Sequence, residues 1–130
     1  MAEPNTFAIQ AAEAVFDEGE EWLEELREYL ELNREFLIGS LKELVPEVQV
    51  IEAEATYLAW IDCAAITEDT KALCAFIREK TGLYLSAGDI FGGNGSRFVR
   101  WNYACPRVLL EDGIQRFVEG VALYQKDRCR

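Results

Sequence analysis

The stretch Gly88–Pro106, GDIFGGNGSRFVRWNYACP, decides how this sequence is read. Its first half, Gly88–Ser96, is a glycine-rich loop, and its second, Arg97–Tyr103, reads as a strand. Pro106 then stands where proline suits the first turn of a helix. Strand alternation puts Val99, Trp101 and Tyr103 on one face and Phe98, Arg100 and Asn102 on the other. Arg100 therefore sits inside an otherwise apolar strand. A guanidinium is costly to bury there unless it meets an anion. That anion is either a structural Asp or Glu, or a ligand carboxylate gripped in a bidentate way. Spacing leaves both readings open.

Working outward, Leu83–Ser86 is a short strand candidate before the loop. Ahead of it, Thr67 followed by Glu68 and Asp69 predicts an N-cap. The helix it opens carries Leu73, Cys74, Phe76 and Ile77 and stops near Gly82, a good C′ residue. Two further strands are predicted at Val48–Glu52 and Tyr57–Asp62, paired antiparallel across the short Glu54-Ala55-Thr56 link. YLAWID is nearly all apolar, as a central strand covered on both faces would be. Leu110, Ile114, Phe117, Val118 and Val121 define a last helix. At the other end, Pro4-Asn5-Thr6 opens a helical pattern through Phe7, Ala8, Ala11, Ala12 and Val15, and Gly19 interrupts it. A longer stripe runs from Trp22 through Leu23, Leu26, Tyr29, Leu30, Asn33, Phe36, Leu37 and Leu41 to Leu44, and Pro46 ends it. The order is two helices, two strands, a helix, two strands and a helix. It predicts an α+β fold: a small, mainly antiparallel sheet with helices packed on it, preceded by a long N-terminal helical segment.

The chain has 130 residues, enough for one domain with a real core, and half of them are hydrophobic. Thirteen basic against 24 acidic residues give a net charge of −11, and there is no His. That balance argues against nucleic acid or an anionic membrane as partner. No apolar run is long enough for a membrane-spanning helix, and MAEPNTFAIQ lacks the features of a secretory signal. Without His, the spacing of Cys63, Cys74, Cys105 and Cys129 matches no common zinc pattern, so no metal site is expected. Two disulfides in an exported domain are one reading of these cysteines. Four reduced thiols in a cytoplasmic protein are the preferred one, because Cys63 and Cys105 sit in apolar runs.

Other chemistry finds little support. The glycine loop lacks the Lys-Ser/Thr of a Walker motif and leads into a strand, so it is a connection or the border of a site. Glu52 and Glu54 share a predicted strand face, but nothing desolvates them for acid–base work. The thiols have no adjacent His or basic cluster to activate them. The glutamates between Glu20 and Glu31 read as a solvated helix face. A non-catalytic, stand-alone interaction or ligand-sensing module is the alternative that these observations leave.

The string RFVRWNYACPR, Arg97–Arg107, resembles the carboxy-terminal signature of fold-type I, pyridoxal-phosphate-dependent aminotransferases, and within them the cystathionine β-lyase / C–S lyase branch. EATYLAWIDC (54–63) is similar to that branch's paired-strand segment, and FIREKTGLYLSAGDIFG (76–92) to its helix, strand and PGxxFG-like loop. The segment 4–37 resembles its connecting helices, with the landmarks GEEWL and YLxxN. The resemblance covers essentially the whole chain. Ala87, where the branch has Pro, and Trp101, where it has a smaller aliphatic, depart from the pattern and bear on loop shape and substrate choice.

The resemblance implies a small C-terminal domain at 19–130 preceded by an inter-domain connecting helix at 1–18, with Met1 an added residue. The large pyridoxal-phosphate-binding domain would precede this region and hold the cofactor on a Schiff-base lysine. The parent would be a homodimeric C–S lyase or aminotransferase acting on an amino acid, and this chain alone would be inactive and hold no cofactor. Lys42, Lys71, Lys80 and Lys126 have no Ser-x-x-Lys setting. Arg100 matches the arginine that binds the substrate α-carboxylate, and Ile90, Phe91 and Gly92 match a loop at the substrate entrance. No catalytic residue is implied within the chain itself.

Overall fold

The computed structural model describes residues 5–128. Met1, Pro4 and Cys129 lie outside the described residues. The chain divides into two compact units, residues 1–32 and 33–130.

In the first unit, helix α1 spans Thr6–Glu18 and helix α2 begins at Glu20, continuing to Leu44 in the second. Asn5 caps α1 by accepting the Ala8 N–H through its side chain at 2.9 Å, which satisfies one of the orphan donors of the first turn. No residue of α1 is buried: Phe7 is 82% and Phe16 89% exposed, and Val15 and Trp22 are exposed too. The predicted stripe is therefore present but uncovered here. Burial on α2 is confined to Asn33, Leu37 and Leu41, in its second half.

The second unit holds a four-stranded sheet with strand order β1-β2-β4-β3. Its strands are β1 (Gln49–Ile51), β2 (Leu58–Asp62), β3 (Ser86–Ala87) and β4 (Phe98–Asn102). Every neighbouring pair is antiparallel. Helix α3 (Thr70–Thr81) lies between β2 and β3 in sequence, and α4 (Arg107–Arg128) follows β4. This is the α+β fold that the element order predicts.

Alternation sorts the sheet into two unlike faces. Ala59 and Ile61 of β2 join Val99 and Trp101 of β4 in the core. They share it with Leu73 and Ile77 of α3 and Leu110, Ile114, Phe117 and Val121 of α4. Helix α4 packs on α3 and β4 through small residues. A Cβ on Gly120 would stand 2.8 Å from Ile77 Cγ1, and one on Gly113 would stand 3.2 Å from the Trp101 ring. Trp101, edge-on to Phe117 at 5.4 Å, takes the room that Gly113 leaves.

Several expectations are corrected. YLAWID is not covered on both faces: Leu58, Trp60 and Asp62 are only half-buried on the second face. Glu52 and Glu54 are not on a strand, because β1 ends at Ile51 and both are exposed in the link. The N-cap of α3 is Asp69, which accepts the Ala72 N–H, while Thr67 Oγ1 accepts the Asp69 N–H just ahead of it. The strand before the loop is displaced to Ser86–Ala87, since these residues pair with Arg100 and Val99. Gly82 does terminate α3 in the left-handed region, with φ 77°.

Candidate functional site: the arginine face of the sheet

The uncovered face of the sheet carries one row of side chains in register: Ser86 on β3, Arg100 on β4 and Trp60 on β2. Arg100 is half-buried. Its Nη2 donates to Ser86 Oγ at 3.3 Å, and its guanidinium carbon lies 4.9 Å from the centroid of the Phe91 ring. No carboxylate partners it among the described residues. Arg97, three positions earlier, contrasts: its Nη2 meets Asp62 Oδ2 at 2.5 Å, and Asp62 also accepts the Ala64 N–H. The Asp62 carboxylate is thus paired with Arg97, not with Arg100.

The loop that brings Phe91 to Arg100 is ordered by two single-turn 3-10 segments, Gly88–Phe91 and Gly95–Arg97. Gly88 and Gly95 are buried against one another, and the space a Cβ would need on either is filled by the other's carbonyl oxygen. Gly92 and Gly93, at φ 76° and 57°, make the turn at its tip. Thr70 Oγ1, at the start of α3, lies 2.8 Å from the carbonyl oxygens of both Ser96 and Phe98, tying the loop's exit to the helix. Ile90 is 72% and Phe91 50% exposed, and Gly92 is exposed beside them.

Arg100 also lines a groove of about 370 Å³. β3 pairs with β4 only as far as Arg100, so the groove runs along the edge that β4 presents at Trp101 and Asn102. Leu58, Tyr84, Cys105 and Leu109 are among its walls. The Cys105 thiol is pushed up from its usual pKa by partial burial. Cys63 and Cys74 are pushed up to about 12: burial dominates for both, with Cys74 and Asp62 adding to it at Cys63 and Asp89 at Cys74. All three are free thiols, and none is poised as a nucleophile. Among the described residues, no group of His, Cys, Asp and Glu could hold a metal ion. No helix of the described residues is long and apolar enough to cross a membrane.

The family model for aminotransferase class I and II matches residues 3–117. The chain belongs to this family. Within class I and II aminotransferases, it is 31% identical over 121 residues to protein MalY of Escherichia coli K12, covering 93% of the chain and 31% of MalY. It is 40% identical over 106 residues to a cystathionine beta-lyase of Corynebacterium glutamicum, covering 82% of the chain and 28% of that enzyme. The crystal structure of a pyridoxal-phosphate-bound C-S lyase from Staphylococcus hominis matches with a TM-score of 0.85 and 26% identity, over 94% of this chain and 33% of that one. The chain thus spans about a third of the length of these aminotransferase-family relatives.

Sequence reasoning singled out Arg100 and the loop at Ile90–Gly92, and the fold brings Arg100 and Phe91 into contact. It missed Ser86 and Trp60. The missing signal is the strand register, which sets both opposite Arg100 and is not written in any local pattern. Trp101, a departure expected to bear on substrate choice, is buried with its ring on Phe117 and also lines the groove at Arg100.

Proposed function

We propose that this chain is the C-terminal, substrate-carboxylate-binding part of a pyridoxal-phosphate-dependent enzyme that acts on an amino acid, as a C–S β-lyase or an aminotransferase. Residues 19–130 form its small domain, and 1–18 the helix connecting to a large cofactor-binding domain of a cytoplasmic homodimer. The observation that carries the reading is Arg100: half-buried in an apolar strand, held by Ser86 and Phe91, and without a carboxylate partner among the described residues. Nη2 spends one donor on Ser86, which leaves the other guanidinium N–H groups for a planar, bidentate grip on an α-carboxylate. Ile90, Phe91 and Gly92 border the approach to that grip.

The residues of this chain fit the carboxylate end of a substrate rather than the cofactor. Lys42, Lys71, Lys80 and Lys126 are all exposed, and none lines the groove at Arg100. The Schiff-base lysine and the phosphate cradle belong, on this reading, to the large domain. Pyridoxal phosphate supplies an electron sink for the pair left at Cα when its proton departs, which serves both β-elimination and amino transfer. The contribution of Arg100 is orientation: fixing the carboxylate fixes which Cα bond stands perpendicular to the cofactor ring.

Arg100→Ala in the full-length protein tests this. Charge-assisted hydrogen bonds contribute about 1.5–3 kcal/mol each. The expected loss in kcat/KM for L-cystathionine is at least roughly tenfold to a hundredfold, at about 1.4 kcal/mol per factor of ten. Arg100→Lys recovers part of it, keeping charge without the planar fork. If Arg100→Ala instead unfolds the protein while the folded fraction keeps full specific activity, Arg100 is structural and the reading fails. In the gene, a reading frame encoding a Ser-x-x-Lys motif upstream of Pro4 supports the parent enzyme, and a genuine start codon at Met1 favours a stand-alone module.

A further inference from the structure

The Phe91 ring that covers Arg100 is itself held in place. It meets Trp60 edge-on, with centroids 5.6 Å apart and planes at 77°. Trp60 in turn stacks on Phe98 at 5.2 Å with planes only 16° apart, so its indole is braced from the neighbouring strand. The far edge of that indole abuts the loop: a Cβ on Gly88 would stand 2.8 Å from Trp60 Cη2. The aromatic chain Phe98–Trp60–Phe91 therefore links the sheet to the exposed tip of the loop. Arg100 lies directly across from Trp60 in the register and beneath Phe91. An exposed phenylalanine on a glycine-rich loop has no packing reason to adopt one orientation. The edge-on contact with Trp60 supplies that reason.

We propose that Trp60 and Phe91 are positioning residues for Arg100: Trp60 braces the Phe91 ring, and the ring holds the guanidinium plane in the orientation that accepts a carboxylate edge-on. This rests on the reading of Arg100 as the carboxylate clamp. The ring attracts the cation through its quadrupole, with the guanidinium carbon 4.9 Å from its centroid. Ser86 Oγ restrains Nη2 on the β3 side. Two of the motions open to a long flexible side chain are thereby removed before any ligand arrives, so less order is lost on binding. The carboxylate approaches in the guanidinium plane, along the edge that Ser86 and Phe91 leave free.

The test is a double-mutant cycle in the full-length protein. It uses the dissociation constant of propionate, a carboxylate without an amino group, measured by titration calorimetry, beside KM and kcat for L-cystathionine. Phe91→Leu is expected to weaken propionate and raise KM roughly three- to tenfold while kcat falls less, the size of a partly exposed cation–π contact. Phe91→Tyr, which keeps the ring, recovers most of that loss, and Trp60→Leu moves the constants in the same direction as Phe91→Leu. On an Arg100→Ala background, Phe91→Leu adds little, because its effect passes through the arginine. An equal Phe91 effect on both backgrounds overturns the proposal, since the ring would then touch the ligand itself. So does a Phe91→Leu protein with unchanged propionate binding. Unchanged propionate binding in Arg100→Ala removes the clamp reading, and this proposal with it. A large Arg100 effect beside an additive Phe91 effect removes this proposal alone.

Discussion

Asn33 is fully buried on α2, and its Nδ2 donates to the carbonyl oxygens of Tyr103 at 3.1 Å and Cys105 at 2.9 Å. It ties the second half of α2 to the end of β4 and the approach to α4, across about seventy residues of sequence. Asn33→Ala deletes both bonds. The Tyr103 carbonyl keeps the Cys105 N–H as donor, while the Cys105 carbonyl loses its Asn33 donor. Two hydrogen bonds at about 1 kcal/mol each, plus the space left by a buried side chain, predict a loss of roughly 2–4 kcal/mol. For a domain of this size each kcal/mol moves Tm by roughly 4–8 °C, so the expected drop is about 8–32 °C. Thermal melting followed by circular dichroism checks it, and in urea the midpoint falls while the m-value holds. Asn33→Asp adds a pH signature. An ionised carboxylate at this position would be buried facing two carbonyl oxygens, so its folded pKa is raised above the unfolded value of about 3.9. The folded state then binds more protons than the unfolded one. The protonated acid can still donate one hydrogen bond, and that stability is present below the unfolded pKa and lost as pH rises through the folded pKa. An Asn33→Ala protein melting within about 2 °C of the parent, or an Asn33→Asp protein whose stability relative to Asn33→Ala does not change with pH, would refute the reasoning.

Gly120→Ala should destabilise by about 1–2 kcal/mol in the same denaturation assay, because contact with Ile77 outweighs the ~1 kcal/mol that Ala gains over Gly in a helix. A more stable protein would mean α3 and α4 separate without cost. Among Cys63, Cys74 and Cys105, a thiol reagent at pH 8 followed by mass spectrometry should modify Cys105 first, being part-exposed, and Cys63 only on unfolding. Since Cys63 and Cys74 rise to about 12 when folded, their protonated forms favour the native state below the unfolded thiol pKa. Stability should therefore fall as pH climbs from about 9 toward 12, and a flat profile there would contradict the burial of both thiols.

What the sequence made legible follows from locality. The faces of β4 follow alternation, with Val99, Trp101 and Tyr103 buried on one side, while Phe98 on the other side is buried too, stacked on Trp60. Gly82 ends α3 as its type predicts, since the left-handed cap is a backbone property of one residue. YLAWID misleads because Leu58 and Trp60 are apolar for a different reason: they wall an open face instead of filling a core. Thr67 and Asp69 are both competent caps, and only the tertiary path of the chain chooses between them. Asn33 falls within the apolar stripe of α2, but its partners lie far along the chain and leave no local trace. Arg100 was conspicuous as a charge in an apolar strand. Ser86, Trp60 and the absence of a carboxylate partner among the described residues became visible only with the register.

The mutual burial of Gly88 and Gly95 makes the intervening segment a closed eyelet. Its two ends are fastened to each other and, through Thr70, to the start of α3. Residues 89–94 can therefore change in length or composition without sliding β4 past β2, because the strand's register is fixed below the fastening. Lengthening a loop costs little in closure entropy, about 0.6 kcal/mol per doubling. The result is a division of labour between a fixed anchor and a rim that can be edited around Phe91 and the two turn glycines. Selection, or an engineer, can redraw what approaches the arginine on either side of Phe91 while keeping the ring that holds the arginine in place.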